Sequence, residues 1–231
     1  MKWDNSILRG YRWCREISDL DMKVRRGRLV ASTARDGQVI GVGTGSSSFV
    51  GLCELARRMK EEGLRVTVIP AASEIALACA SMDIPVTSLL SARPDWCFDG
   101  ADEIGENGDV VKGRGGGLYK EKLVIAAAKK RYIIAEDKKY VASVGAVPVP
   151  VEVFPQAVHL AEEGLAALGA VSVMLRLAKS KDGPVITENG NAILDCFFAR
   201  IGDGLEKEIK ALPGVIDSGL FQGYGFEFVR S

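Results

Sequence analysis

At 231 residues the chain can bury a substantial core, as one large domain or a large domain with a small companion. It is 47% hydrophobic and 26% charged, ordinary values for a soluble globular protein. Thirty basic and thirty acidic side chains cancel, so no global field draws the chain to nucleic acid or an anionic membrane, although a local basic pocket stays open.

In chain order, "LDMKVRRGRLVASTAR" (20–35) has helical spacing and a strongly basic character. "QVIGVGTGSSSFVGLCELARRMKEEG" reads as strand, glycine turn and amphipathic helix. "LRVTVIP" is a second strand, and "SEIALACASMD" a helix with a serine at its start. "IPVTSLL" and "PDWCFDGADE" read as further strands, "EKLVIAAAKK" as a helix and "RYIIAED" as a buried strand. Strands alternating with helices of about ten residues predict a mostly parallel sheet covered on both faces.

The pattern changes after the proline-rich "VPVPVEVFP". Residues 156–169 read as a helix, and "SVMLRLA", "PVITENGN" and "AILDCFF" as short antiparallel strands, with Asn-Gly in "ENGN" as a hairpin signal. "GLEKEIKAL" is another helix and "GVIDSGLF" a returning strand. The expected fold class is α/β: a Rossmann-like, mostly parallel sheet domain (1–145 and 205–231) with a smaller inserted α+β domain at 146–204.

The cysteines (Cys14, Cys53, Cys79, Cys97, Cys196) are scattered, with no Cys-x-x-Cys, which argues against a disulfide framework or zinc ribbon and for a reducing compartment. His159 is the single histidine, so a Ser-His triad or a His-rich metal site would have to rest on it; a surface or core role is expected instead. No run of 18 apolar residues occurs, and "MKWDNSILRGYRW" lacks an apolar signal core, so a soluble cytoplasmic protein without a membrane partner is expected.

Two segments carry chemistry. "GVGTGSSS" (41–48) sits where a strand gives way to a helix, and helix-start amides with the hydroxyls of Thr44, Ser46, Ser47 and Ser48 suit a small anion. Ser46 stands where a dinucleotide fingerprint needs its third glycine, and the Gly-Lys-Ser/Thr ending of a Walker A loop is missing. A lone phosphate therefore fits better than a nucleotide, and a glycine turn that only connects elements is the plain alternative. The second segment, "CFDGADEIGENGDVVKGRGGGLYKEK" (97–122), gathers Asp99, Asp102, Glu103 and Glu121 among lysines and glycines. Glu121 falls just inside a helix start, where the dipole favours a carboxylate; locally that is indistinguishable from a catalytic base. Three consecutive glycines cost backbone entropy, which suggests backbone lying against a ligand or neighbour.

"GVGTGSSS", "FDGADEI", "VKGRGGGLYKEK", "VPVEVFP", "TENGNAILD" and "GVIDSGLF" stand in the order and spacing of type A ribose-5-phosphate isomerases, and the chain resembles that family over about residues 20–225. The resemblance implies a Rossmann-like domain, a smaller α/β lid and a homodimer or homotetramer. It implies cofactor-free, metal-free interconversion of ribose 5-phosphate and ribulose 5-phosphate, with the sugar phosphate as partner. By the same resemblance Glu121 is the base, Asp99 and Asp102 are the active-site aspartates, and Lys112 is the lysine of the glycine loop. Gly113 and Gly115 belong to that loop. Thr44, Gly45, Ser46 and Ser47 form the phosphate loop, with Lys23 aligning to a basic residue on the first helix, and Lys139 is the substrate-binding lysine that closes the following strand. Ser47 replaces the usual threonine, Arg114 interrupts a run that is usually glycine, and Glu136 and Lys138 depart from the usual pattern before Lys139. "PAASE" lacks hydroxyls common after the second strand, and the N-terminal extension of about sixteen residues has no counterpart.

The residue types suit the reaction. Aldose-ketose isomerisation moves a proton between adjacent carbons through a cis-enediolate, so one carboxylate can serve as carrier. An ordinary glutamate, with a pKa of about 4.3, is a weak base until burial and neighbouring carboxylates strengthen it. Ammonium groups stabilise the enediolate oxygen. Rival readings are a non-catalytic sugar-phosphate sensor, which need not keep Glu121, a CoA transferase using a glutamate nucleophile, and an NAD-dependent dehydrogenase, which lacks its third glycine.

Overall fold

The structure, a computed structural model, describes residues 6–13 and 16–230. Cys14 and part of the N-terminal extension lie outside the described residues. In chain order come α1 (Ser6–Arg9), α2 (Leu20–Ser32), β1 (Val39–Val42), α3 (Gly45–Glu62), β2 (Thr67–Pro70), α4 (Ser73–Ser81), β3 (Trp96–Asp99), β4 (Glu103–Gly105) and β5 (Val110–Val111). They are followed by α5 (Leu118–Ala127), β6 (Lys130–Ile134), β7 (Tyr140–Val141), β8 (Val149–Val153), α6 (Val158–Ala167), β9 (Ala170–Leu175) and β10 (Ala192–Phe198). Last come α7 (Leu205–Ala211), β11 (Val215–Ser218), β12 (Leu220–Phe221) and β13 (Glu227–Val229). No described helix is long and apolar enough to cross a membrane.

The chain forms two compact units, the first from Met1–Gly100, Leu123–Glu136 and Phe226–Ser231, the second from Ala101–Lys122 and Asp137–Gly225. These limits differ from the expected 1–145/205–231 and 146–204. Strands of two or three residues explain the difference: β4, β5, β7 and β12 make a sheet of their own, which draws their segments into the second unit.

In the first unit the sheet has the order β13-β6-β3-β1-β2, and every pairing is parallel. Ile40, Val42, Val68, Trp96, Phe98 and Ile134 bury against Val30, Leu52, Leu55 and Ile75 of the helices. Burying apolar side chains of this size is worth about 1.5–3 kcal/mol each. Because β2 and β3 lie on opposite sides of β1, the order reverses between β1 and β3, and the loops after these two strands flank the switch point where open α/β sheets bind ligands. "IPVTSLL" does not form the expected strand. It makes one bridge, Val68 to Val86, because Val86, Leu89 and Leu90 point to solvent and have no core to enter.

The second unit holds the antiparallel sheet β11-β8-β10-β9 and the small sheet β12-β5-β4-β7. Val149, Val151 and Val153 alternate toward a core shared with Leu165 of α6 and Leu205 and Ile209 of α7. "PVITENGN" is likewise not a strand. Its Asn-Gly signal is a real turn, with the Thr187 amide bonded to Asn191 O at 2.8 Å and an antiparallel bridge between Ile186 and Ala192. The polar side chains of Thr187, Asn189 and Asn191 instead converge on Oε1 of the buried Glu152, at 2.8, 3.0 and 2.8 Å.

Candidate active site

In the first unit β1 ends at the glycine loop and α3 begins at Gly45, whose φ of +78° needs glycine. Thr44 occupies the N-cap with extended backbone, and Ser46 and Ser47 fill the first helical turn, where the dipole is positive. Asp99 closes β3 beside them and is 2% exposed. Its Oδ1 accepts from the Thr44 amide at 3.1 Å, the Ser48 hydroxyl at 3.0 Å and the Gly100 amide at 2.7 Å. Asp99 therefore ties the loop after β1 to the end of β3. Gly43 lets it in: a Cβ at that position would lie 1.8 Å from Asp99 Cγ. Ser48, one of the hydroxyls grouped with the anion loop by sequence, turns inward to this carboxylate. Lys23 is 3% exposed, and its ammonium lies 2.9 Å from Glu136 Oε1 and bonds Ser18 O and Oγ at 2.7 and 3.0 Å. In this structure its charge is matched by Glu136, an atypical residue of the "AEDKK" segment.

The second unit brings the acid-lysine residues together. Glu121 lies in the first turn of α5, 2% exposed, and Lys112, also 2% exposed, donates from its ammonium to Glu121 Oε2. Lys112 is anchored through its amide to Gly219 O at 2.9 Å, and its Nζ stands 5.6 Å from the Phe221 ring centre. The turn between them starts at Gly113, with φ +98° and no room for a Cβ, which would meet Leu118 Cβ at 2.6 Å. Gly115 lies exposed within that turn, next to Gly116, whose amide closes on Gly113 O at 3.0 Å. Asp102 accepts from the Arg114 amide at 3.3 Å, with Arg114 Nε 3.9 Å and Lys139 Nζ 4.0 Å from its Oδ1. Lys139 also donates to Ala101 O.

Sequence reasoning missed a buried support beneath α5. Lys122, next to the proposed base, binds Glu206 Oε1 at 2.6 Å, Asp217 Oδ1 at 2.9 Å and Leu220 O at 2.9 Å, with its ammonium 4.5 Å from the Phe221 ring centre. Its position in "EK" is the one available signal, and that does not reveal partners so distant in sequence. Among the described residues no three His, Cys, Asp or Glu side chains gather as a metal site. His159 is an exposed side chain, 3.5 Å from Glu162. Burial pushes the thiols of Cys79 and Cys196 up to about 12.

Residues 67–229 match the family model for ribose 5-phosphate isomerase A (phosphoriboisomerase A). The chain is 41% identical over 209 residues to ribose-5-phosphate isomerase A of Natronomonas pharaonis, covering 90% of this chain and 91% of that one. The solved ribose 5-phosphate isomerase A of Methanocaldococcus jannaschii superposes with a TM-score of 0.88 at 35% identity, covering 93% of this chain and 96% of that one. A solved D-ribose-5-phosphate isomerase in complex with phospho-erythronic acid follows with a TM-score of 0.86 at 34% identity, covering 90% and 94%. A family match over most of the chain, with a relative and a solved structure aligned over 90% and 93% of it, leads to one conclusion: this chain belongs to the ribose 5-phosphate isomerase A family and is an isomerase.

Proposed function

We propose that the chain interconverts D-ribose 5-phosphate and D-ribulose 5-phosphate with Glu121 as the proton carrier. The observation that carries this role is the buried Glu121 carboxylate, set at a helix start and held by the Lys112 ammonium. In the aldose-to-ketose direction Glu121 takes the proton from C2 and returns it to C1, while the proton of the C2 hydroxyl moves to O1. Asp102, more exposed than Asp99 and flanked by Lys139, suits the oxygen-to-oxygen transfer. Lys112 offsets negative charge as the enediolate forms. Thr44, Gly45, Ser46 and Ser47 hold the phosphate at the start of α3, and Asp99 serves chiefly by fixing that loop. Lys23 contributes there if the phosphate draws it from Glu136.

No metal or cofactor enters this scheme, because lysines supply the positive charge. A cytoplasmic homodimer or homotetramer completes the reading. The oligomer is supported by the apolar Val171, Met174, Leu175 and Leu177, exposed on and just after the edge strand β9, and light scattering checks it. The activity is tested by following ribulose 5-phosphate formation and solvent-deuterium incorporation at C1. Binding of ribose 5-phosphate without turnover would favour the sensor reading and refute this one.

A further inference from the structure

Asp102 has one described hydrogen bond, from the amide of Arg114, so the position of that amide governs where the carboxylate points. The two cationic side chains near it stand at 3.9 and 4.0 Å, and the Arg114 side chain is 86% exposed, where ion pairs contribute little. The same peptide unit is gripped from its other end. Gly113 O accepts from Arg176 Nη1 at 3.2 Å, and the next carbonyl, Arg114 O, accepts from that nitrogen at 2.8 Å.

Arg176 is itself fixed. It follows β9, and its amide bonds Ile193 O on β10 at 2.9 Å. Its guanidinium forks onto Asp195, with Nε 2.8 Å from Oδ2 and Nη2 bonded to Oδ1, and both side chains are largely buried (14% and 18% exposed). A planar guanidinium can hold a carboxylate with one edge and carbonyls with the other, which an ammonium does poorly. Its charge also polarises the Gly113–Arg114 peptide so that the N–H facing Asp102 donates more strongly.

We propose that Arg176, locked by Asp195, is a positioning residue for Asp102 and acts through the Gly113–Arg114 peptide. The proposal rests on the reading that Asp102 takes part in the reaction. Arg176→Met should lower kcat about 10–100-fold, the usual scale for groups that orient a reacting residue, with KM for ribose 5-phosphate changed by less than about threefold. Arg176→Lys should restore only part of the loss, and free guanidinium should raise kcat of Arg176→Ala where sodium at equal ionic strength does not. The deciding measurement is a cycle with Asp102→Asn. If Arg176 works through Asp102, Arg176→Met should cost less than about threefold in the Asp102→Asn background. An equal loss in both backgrounds, or wild-type kcat in Arg176→Met, overturns the proposal. Near-normal kcat in Asp102→Asn alone overturns instead the role given to Asp102, and the proposal with it. Should Arg176→Met fail to fold, the same cycle with Arg176→Lys decides, because that variant keeps the charge facing Asp195.

Discussion

Replacing Glu121 with glutamine removes the carboxylate and little else, and the structure sets two separate magnitudes. The side chains of Lys112 and Glu121 are 3% and 2% exposed, so their ion pair is almost dry. Glutamine still offers Lys112 a neutral oxygen; the loss is that of a hydrogen bond to a charged group, about 1.5–3 kcal/mol. For a chain of this size that lowers Tm by roughly 3–12 °C, and the protein stays folded at assay temperature. The catalytic loss is larger. An amide cannot carry the carbon-bound proton, and removing a general base costs about 10²–10⁴ in kcat, or roughly 2.7–5.4 kcal/mol of barrier. Lys112→Met leaves the buried carboxylate without its ammonium and should destabilise by about 3–5 kcal/mol. In Glu121→Gln/Lys112→Met stability should partly return, because both charges are gone, while turnover stays lost. Denaturant melts and a ribulose 5-phosphate assay on the four proteins separate the effects. A Glu121→Gln enzyme within about tenfold of wild type, alongside an inactive Asp102→Asn, would refute the assignment of the base.

Thr44→Ala/Ser47→Ala should raise KM for ribose 5-phosphate, each lost bond to a charged group being worth about 1.5–3 kcal/mol; an unchanged KM removes this loop from phosphate binding. Gly43→Ala should unfold the loop or displace Asp99, since the added Cβ would fall 1.8 Å from Asp99 Cγ; a melt and KM matching wild type would contradict that packing. Activity should survive exhaustive dialysis against EDTA, and loss with recovery on adding a divalent ion would overturn the lysine-based scheme. Native protein near pH 8 should keep Cys79 and Cys196 unalkylated by iodoacetamide, because burial raises both thiols to about 12 and the reactive thiolate is scarce below that; mass spectrometry showing rapid labelling without denaturant would contradict it.

Local pattern carried much of this protein. Strand β1, its glycine turn and α3 were legible because a short apolar strand, Gly43 and Gly45, and a helical repeat follow one another directly, and each reports its own backbone. The family resemblance rests on contiguous blocks, and those blocks carry Glu121, Asp99, Asp102 and Lys112. What stayed hidden depends on residues far apart in the chain. "IPVTSLL" looks like a strand, yet lacks a neighbour to pair with along its length. The sheet of β12, β5, β4 and β7 is built from strands too short to show a period, and it exists because tertiary packing aligns them. Lys23 reads as one cation of a strongly basic helix, and only the fold sets it on Glu136. Ser48 reads as one more hydroxyl of an anion loop until β3 places Asp99 against it. Arg176 and Asp195 look like ordinary strand charges, and the antiparallel register of β9 and β10 is what makes them a pair. A periodic pattern reports which face of an element is buried. The partner of a buried charge is chosen by chain crossings that no local window contains.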